Sequence, residues 1–187
     1  MKAELGKMSV FALIGLVAVA AVASVAVAHE RLRTDLTGYE EVPAISSSGR
    51  GTFRAKVSND ESEIAWTLSY AGLEADATQA HIHFGQRSVI GGIAVFLCTN
   101  VGNGPAGTQA CPLREGTITG TSAAADVIGP SAQGISAGEF AELLAAIRAG
   151  VAYVNVHSEL FPVGEIRGHL DRGNRGHSHH PSGHGHD

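Results

Sequence analysis

Gln79-Ala80-His81-Ile82-His83-Phe84-Gly85 alternates polar and apolar side chains as an extended strand does. Successive strand side chains point to opposite faces, so Ile82 and Phe84 are expected to look into a core and His81 and His83 to look away from it. Two imidazoles about 7 Å apart on one face can grip a metal ion or seed a polar network. The rest of the chain decides which polar groups join them.

The same alternation recurs on both sides of this stretch. Leu32, Thr34 and Leu36 alternate with Arg33, Asp35 and Thr37. Gly51, Phe53, Ala55 and Val57 alternate with Thr52, Arg54 and Lys56, and Ile64, Trp66, Leu68 and Tyr70 with Ala65, Thr67 and Ser69. The turn Asn59-Asp60-Glu61 joins the latter two as an antiparallel pair. Ile93 to Leu97 is almost wholly apolar, as for a strand covered on both sides, and Gly116 to Thr121 is a further short strand. The period changes once. Ser136 and Glu139 stand at capping-box spacing, and Phe140, Leu143, Leu144 and Ile147 recur every three or four residues, which predicts a single helix over 137–149. Many short strands, Gly-rich turns and one inserted helix predict an all-β antiparallel sandwich with a long crossover.

The ends read differently from the middle. Lys2 and Lys7 precede an apolar run from Val10 to Val27 that ends in Ala26-Val27-Ala28, so residues 1–28 are expected to be an export signal cleaved after Ala28. The competing reading is a retained anchor, because the run approaches spanning length. Cleavage leaves residues 29–170 as the domain, with no stable membrane span, outside the cell or in its envelope. In an exported chain the pair Cys98 and Cys111 is expected to form one disulfide, worth about 3 kcal/mol by loop-closure entropy. Residues 171–187 hold Gly, Ser, Arg, Asp, Asn, Pro and His and are expected to be a disordered tail, whose His177, His179, His180, His184 and His186 bind divalent ions loosely. With 13 Lys and Arg against 18 Asp and Glu, the net charge of −5 argues against nonspecific nucleic-acid binding. An extracellular protein or an envelope component is the expected class of partner.

Two further strands carry polar rows. Tyr153, Asn155 and His157 alternate with Ala152, Val154 and Val156, and after a turn holding Pro162 and Gly164 come Glu165, Arg167 and His169 around Ile166. A hairpin makes these rows neighbours. One reading is a metal centre with His81, His83 and His157 as nitrogen ligands and His169 as a fourth. Glu165 would then hold a ring N–H and Arg167 would clamp that carboxylate; neutral imidazoles suit Cu or Zn. The other reading is a structural network in which these groups satisfy one another. No Gly-Xxx-Ser-Xxx-Gly elbow, phosphate loop or zinc-peptidase helix motif occurs, so no catalytic residue is assigned.

Gly38-Tyr39-Glu40-Glu41-Val42-Pro43, Ala80-His81-Ile82-His83-Phe84-Gly85, Tyr153-Val154-Asn155-Val156-His157-Ser158 and Gly164-Glu165-Ile166-Arg167-Gly168-His169 together resemble the CHRD domain, the repeat named from chordin. The likeness covers about 32–170. Family members often have Thr at the place of Ser158 and Gln at that of His169, so His169 stands apart from a family-wide site. The resemblance implies a secreted Greek-key β-sandwich, distantly similar to Cu,Zn superoxide dismutase but without its ligand set. It implies a non-catalytic binding or structural role ahead of a copper redox enzyme.

Overall fold

The computed structural model describes residues 30–172. The segment expected to be an export signal and the histidines of the tail lie outside the described residues. Nine strands form: β1 (Arg31–Thr37), β2 (Arg50–Val57), β3 (Glu63–Ala71), β4 (Ala77–Phe84), β5 (Gly92–Thr99), β6 (Gly116–Ala123), β7 (Ala152–Ser158), β8 (Ile166–His169) and β9 (Asp171–Arg172), with one α-helix, α1 (Phe140–Arg148). The neighbour order is β5-β4-β7-β8-β1-β2-β3-β6, and every pairing is antiparallel.

This order corrects the architecture expected from the sequence. There is one sheet, not two, curled into a nearly closed eight-stranded barrel whose opposite walls pack as the layers of a sandwich do. The seam lies between the edges β5 and β6, where the Gln109 amide donates both to the Leu97 carbonyl at 3.3 Å and to the Thr119 carbonyl at 3.1 Å. Alternation puts Leu36, Phe53, Ile64, Leu68, Ile82, Val154 and Ile166 inside, all at 1% exposure or less. Each such side chain contributes roughly 1.5–3 kcal/mol of burial. The Cys98–Cys111 disulfide is formed at the end of β5.

The helix is shorter than its periodicity predicts. Gly138 takes a left-handed φ of 87°, which breaks the run, so residues 137–139 are a lead-in. Half of the expected capping box survives: the Ser136 N–H donates to the Glu139 carboxylate at 2.6 Å. The stripe Phe140, Leu143, Leu144 and Ile147 is buried, and Arg148 at the last turn bonds Glu30 at 2.7 Å and Glu61 at 2.6 Å. Those pairs lock the helix end to the start of β1 and to the β2–β3 turn. Pairing also runs past Leu170, since Asp171 and Arg172 align with Arg33 and Leu32 of β1.

Candidate metal centre

The outer face of β4, β7 and β8 is as buried as the interior. Antiparallel register sets His81 opposite Asn155, His83 opposite Tyr153, Tyr153 opposite His169, and Asn155 opposite Arg167. The polar rows therefore meet, although nothing in the local sequence compels β4 to lie beside the β7–β8 hairpin. Three loops roof the face. Gly91, after β4, accepts from His83 Nδ1 at 3.0 Å and donates its N–H to the Tyr153 hydroxyl at 3.0 Å. Pro162, between β7 and β8, accepts from His157 Nδ1 at 2.9 Å. Glu41, in the β1–β2 loop, accepts from Asn155 Nδ2 at 2.7 Å.

Those carbonyl contacts fix the chemistry of two rings. A carbonyl only accepts, so Nδ1 of His83 and of His157 must carry the proton and Nε2 of each presents a lone pair. His83 Nε2 and His81 Nε2 are buried without a hydrogen-bond partner. His157 Nε2 faces His81 Nδ1 at 3.2 Å. Two imidazole nitrogens on a tetrahedral ion with bonds of 2.0–2.1 Å stand about 3.3 Å apart, so this spacing needs little adjustment. One nitrogen from each of His81, His83 and His157 lies within 4.8 Å of the other two. Phe96 of β5 closes the side, its ring edge-on to His81 at 4.3 Å.

The remaining predicted residues take other places. His83 stacks flat on Tyr153 at 4.7 Å, and the Arg167 guanidinium sits 3.5 Å from the centre of the same Tyr153 ring. That buried cation–π contact is worth about 2 kcal/mol. Arg167 also donates to the Gln86 carbonyl at 3.2 Å and meets His169 Nε2 at 3.1 Å. His169 therefore stands with Arg167 and Tyr153, one strand away from the three-histidine group. Glu165 turns away altogether, accepting from Ser47 Oγ at 2.6 Å and from the Glu74 N–H at 2.8 Å, and so clasps two loops. Its place in the patch is held by Glu41. Reading residues by strand alternation passes over Glu41 and Gly91 because loops have no period; the motif Glu40-Glu41-Val42-Pro43 was the available signal.

Burial drives His81 far below the ordinary imidazole value, helped by the neighbouring His157 and His83. Burial takes His83 down to about 4, against the Gly91 carbonyl, and lowers His157 as well. Neutral rings need shed no proton before they ligate. Burial also lifts Glu41 to about 7, opposed by the Arg167 charge.

These shifts predict an acid response. A histidine with a depressed native pKa contributes stability that is complete above about 6.5 and lost as pH falls through its native value. For His83 the drop from 6.5 to about 4 amounts to about 3 kcal/mol. Glu41 has the opposite sign: its contribution is complete below 4.5 and lost as pH rises through about 7, again about 3 kcal/mol. The two offset, so His81 and His157 decide the outcome. The metal-free chain is expected to show a falling urea midpoint between pH 7 and pH 4; a flat or rising midpoint rules the neutral-histidine patch out.

Neither the curated proteins nor the solved structures compared with the chain give a match, so the distant likeness to superoxide dismutase gains no support from them. The CHRD domain family matches residues 32–170, a span that takes in the barrel and the whole patch, and the chain belongs to that family.

Proposed function

We propose that this CHRD domain is a non-catalytic extracellular module that holds one Cu or Zn ion through His81, His83 and His157. CHRD domains are interaction modules without catalytic activity, and the metal would serve to fix the roof of the patch in the shape a partner meets. The single observation carrying the reading is the convergence of three buried, neutral imidazoles, two with Nδ1 anchored on backbone carbonyls. Such anchoring of the non-ligating nitrogen orients ligating histidines and raises their basicity. His81, whose Nδ1–H donates to His157 Nε2, would have to give up that hydrogen bond to serve as the third ligand. Family placement supports an extracellular location, and the apolar stretch before residue 28 is consistent with export.

Calorimetric titration of the full chain at pH 7.5 tests the proposal. One tight equivalent of Zn(II) or Cu(II) is expected above a weaker class supplied by the tail, and His81→Ala should remove the tight equivalent alone. A His81→Ala profile identical to that of the parent chain rejects the site.

A further inference from the structure

Among residues 30–170, most Lys and Arg side chains are engaged. Arg87 pairs with Glu40, Arg114 with Asp76, and Arg148 with Glu30 and Glu61. Arg50 donates to the Ser47 and Gly49 carbonyls beneath the Tyr39 ring, and Arg167 is buried in the patch. Four remain: Arg31, Arg33, Arg54 and Lys56. All four are exposed on the outer face of β1 and β2, on the other side of the barrel wall from the core.

Register sets them in a square. Arg31 stands opposite Lys56 and Arg33 opposite Arg54. Cross-strand neighbours lie about 5 Å apart and alternate positions along a strand about 7 Å apart, so four cations share one small patch. Like charges directly opposite destabilise a sheet. Here the rule is broken twice in succession, and no side-chain ion pair among the described residues relieves it. A local rule broken twice, with acids only at the borders of the square, marks a surface shaped for something else.

The surroundings indicate its chemistry. Beyond the square the same face continues onto β3 and β6 as hydroxyl rows, with Arg54 opposite Thr67, Thr67 opposite Thr119, Thr52 opposite Ser69, and Ser69 bonded to Thr117 at 2.8 Å. A shallow open depression lined by Arg50, Thr52, Ser69 and Thr117 extends that face toward the first loop. Acids stand at its borders: Asp35 beside Thr52 in register, Glu63 at the far end of β3, Glu115 at the rim of the depression, and Asp171 in register with Arg33 on β9. Among the described residues the outward positions of β1, β2, β3 and β6 carry no aromatic side chain; the one exposed ring is Tyr39 at the edge, against Arg50, where single-stranded nucleic acid needs a row of rings for successive bases. We propose that it binds an anionic polysaccharide, the cationic square taking successive carboxylate or sulfate groups and the hydroxyl rows taking sugar hydroxyls. The site is independent of the histidine patch.

The test uses the full chain at pH 8, where the tail histidines are uncharged. Heparin serves as a sulfated chain, polygalacturonate as a carboxylated one, neutral dextran as the blank and single-stranded DNA as a non-glycan polyanion. Binding to heparin or polygalacturonate is expected, with none to dextran; the stronger of the two assigns the acidic group. Neutralising four charges with the single-strand coefficient predicts about a 50-fold loss of affinity between 50 and 200 mM salt. The double substitution Arg31→Glu with Arg54→Glu puts opposite charges across both pairs and leaves Arg33 opposite Asp171. It is expected to lower affinity at least about 30-fold while raising the urea midpoint, a combination a misfolded variant does not give. Arg87→Glu with Arg114→Glu makes the same change in net charge elsewhere and should stay within about 3-fold of the parent. Absence of binding to both acidic glycans at 50 mM salt overturns the proposal. An equal loss in the control pair, or DNA bound as tightly as either glycan, overturns it too, since charge alone would then explain the result.

Discussion

Zn(II) at a thousand times its dissociation constant is expected to stabilise the chain against urea by about 4 kcal/mol, and His157→Ala is expected to abolish that gain. Only metal that prefers the folded state stabilises it. The tail histidines, His177 to His186, require no packed surface to bind an ion, so what they take up in the folded and unfolded chains cancels. The three-histidine group exists only when β4 lies beside β7, so an ion held there pulls the equilibrium toward the fold. His157→Ala also strands the Pro162 carbonyl and costs stability without metal. The comparison is therefore made within each variant, with and without Zn(II). An undiminished gain in His157→Ala would place the stabilising ion elsewhere.

Replacing Gly91 by Ala is expected to have the next largest effect, because that residue is the keystone of the roof. A Cβ on Gly91 would fall 1.9 Å from the Phe84 carbonyl oxygen and 2.5 Å from its carbon, both backbone atoms that cannot swing aside. The 85–91 loop must lift, at a cost of more than about 2 kcal/mol. Lifting removes the acceptor from His83 Nδ1 and the donor from the Tyr153 hydroxyl together. With its anchor gone, His83 is free to put the proton on the ligating nitrogen, and metal affinity should fall 10- to 100-fold, as for other lost anchoring partners. Affinity within about 3-fold of the parent would show that the Gly91 carbonyl does not orient the ring.

The square of cations shows how a whole-chain quantity can mislead. A net charge of −5 argues against polyanion binding when spread evenly, and Arg31, Arg33, Arg54 and Lys56 look unremarkable as alternate residues of two strands. Register concentrates them on one face, while four of the acids that balance them in the whole-chain sum are engaged by Arg87, Arg114 and Arg148 elsewhere. Glu165 makes the converse point. Its spacing from Arg167 and His169 suggested one polar row, but it precedes β8, and the Ser47 hydroxyl and the Glu74 N–H draw it to the loops.

The sequence by itself determined eight of the nine strands, because period-two alternation is a property of each segment and needs no partner; β9, two residues long, has no period to read and was expected to be tail. It also determined which side of β4, β7 and β8 is polar, the disulfide and the position of the helix to within three residues. Tertiary structure alone decided that the sheet closes on itself and that β4 pairs with β7. It decided as well that loops bring Gly91, Pro162 and Glu41 over the histidines. Those outcomes rest on contacts between residues far apart in the chain. Strand periodicity records which way a side chain points; it carries no record of what another segment will place in front of it.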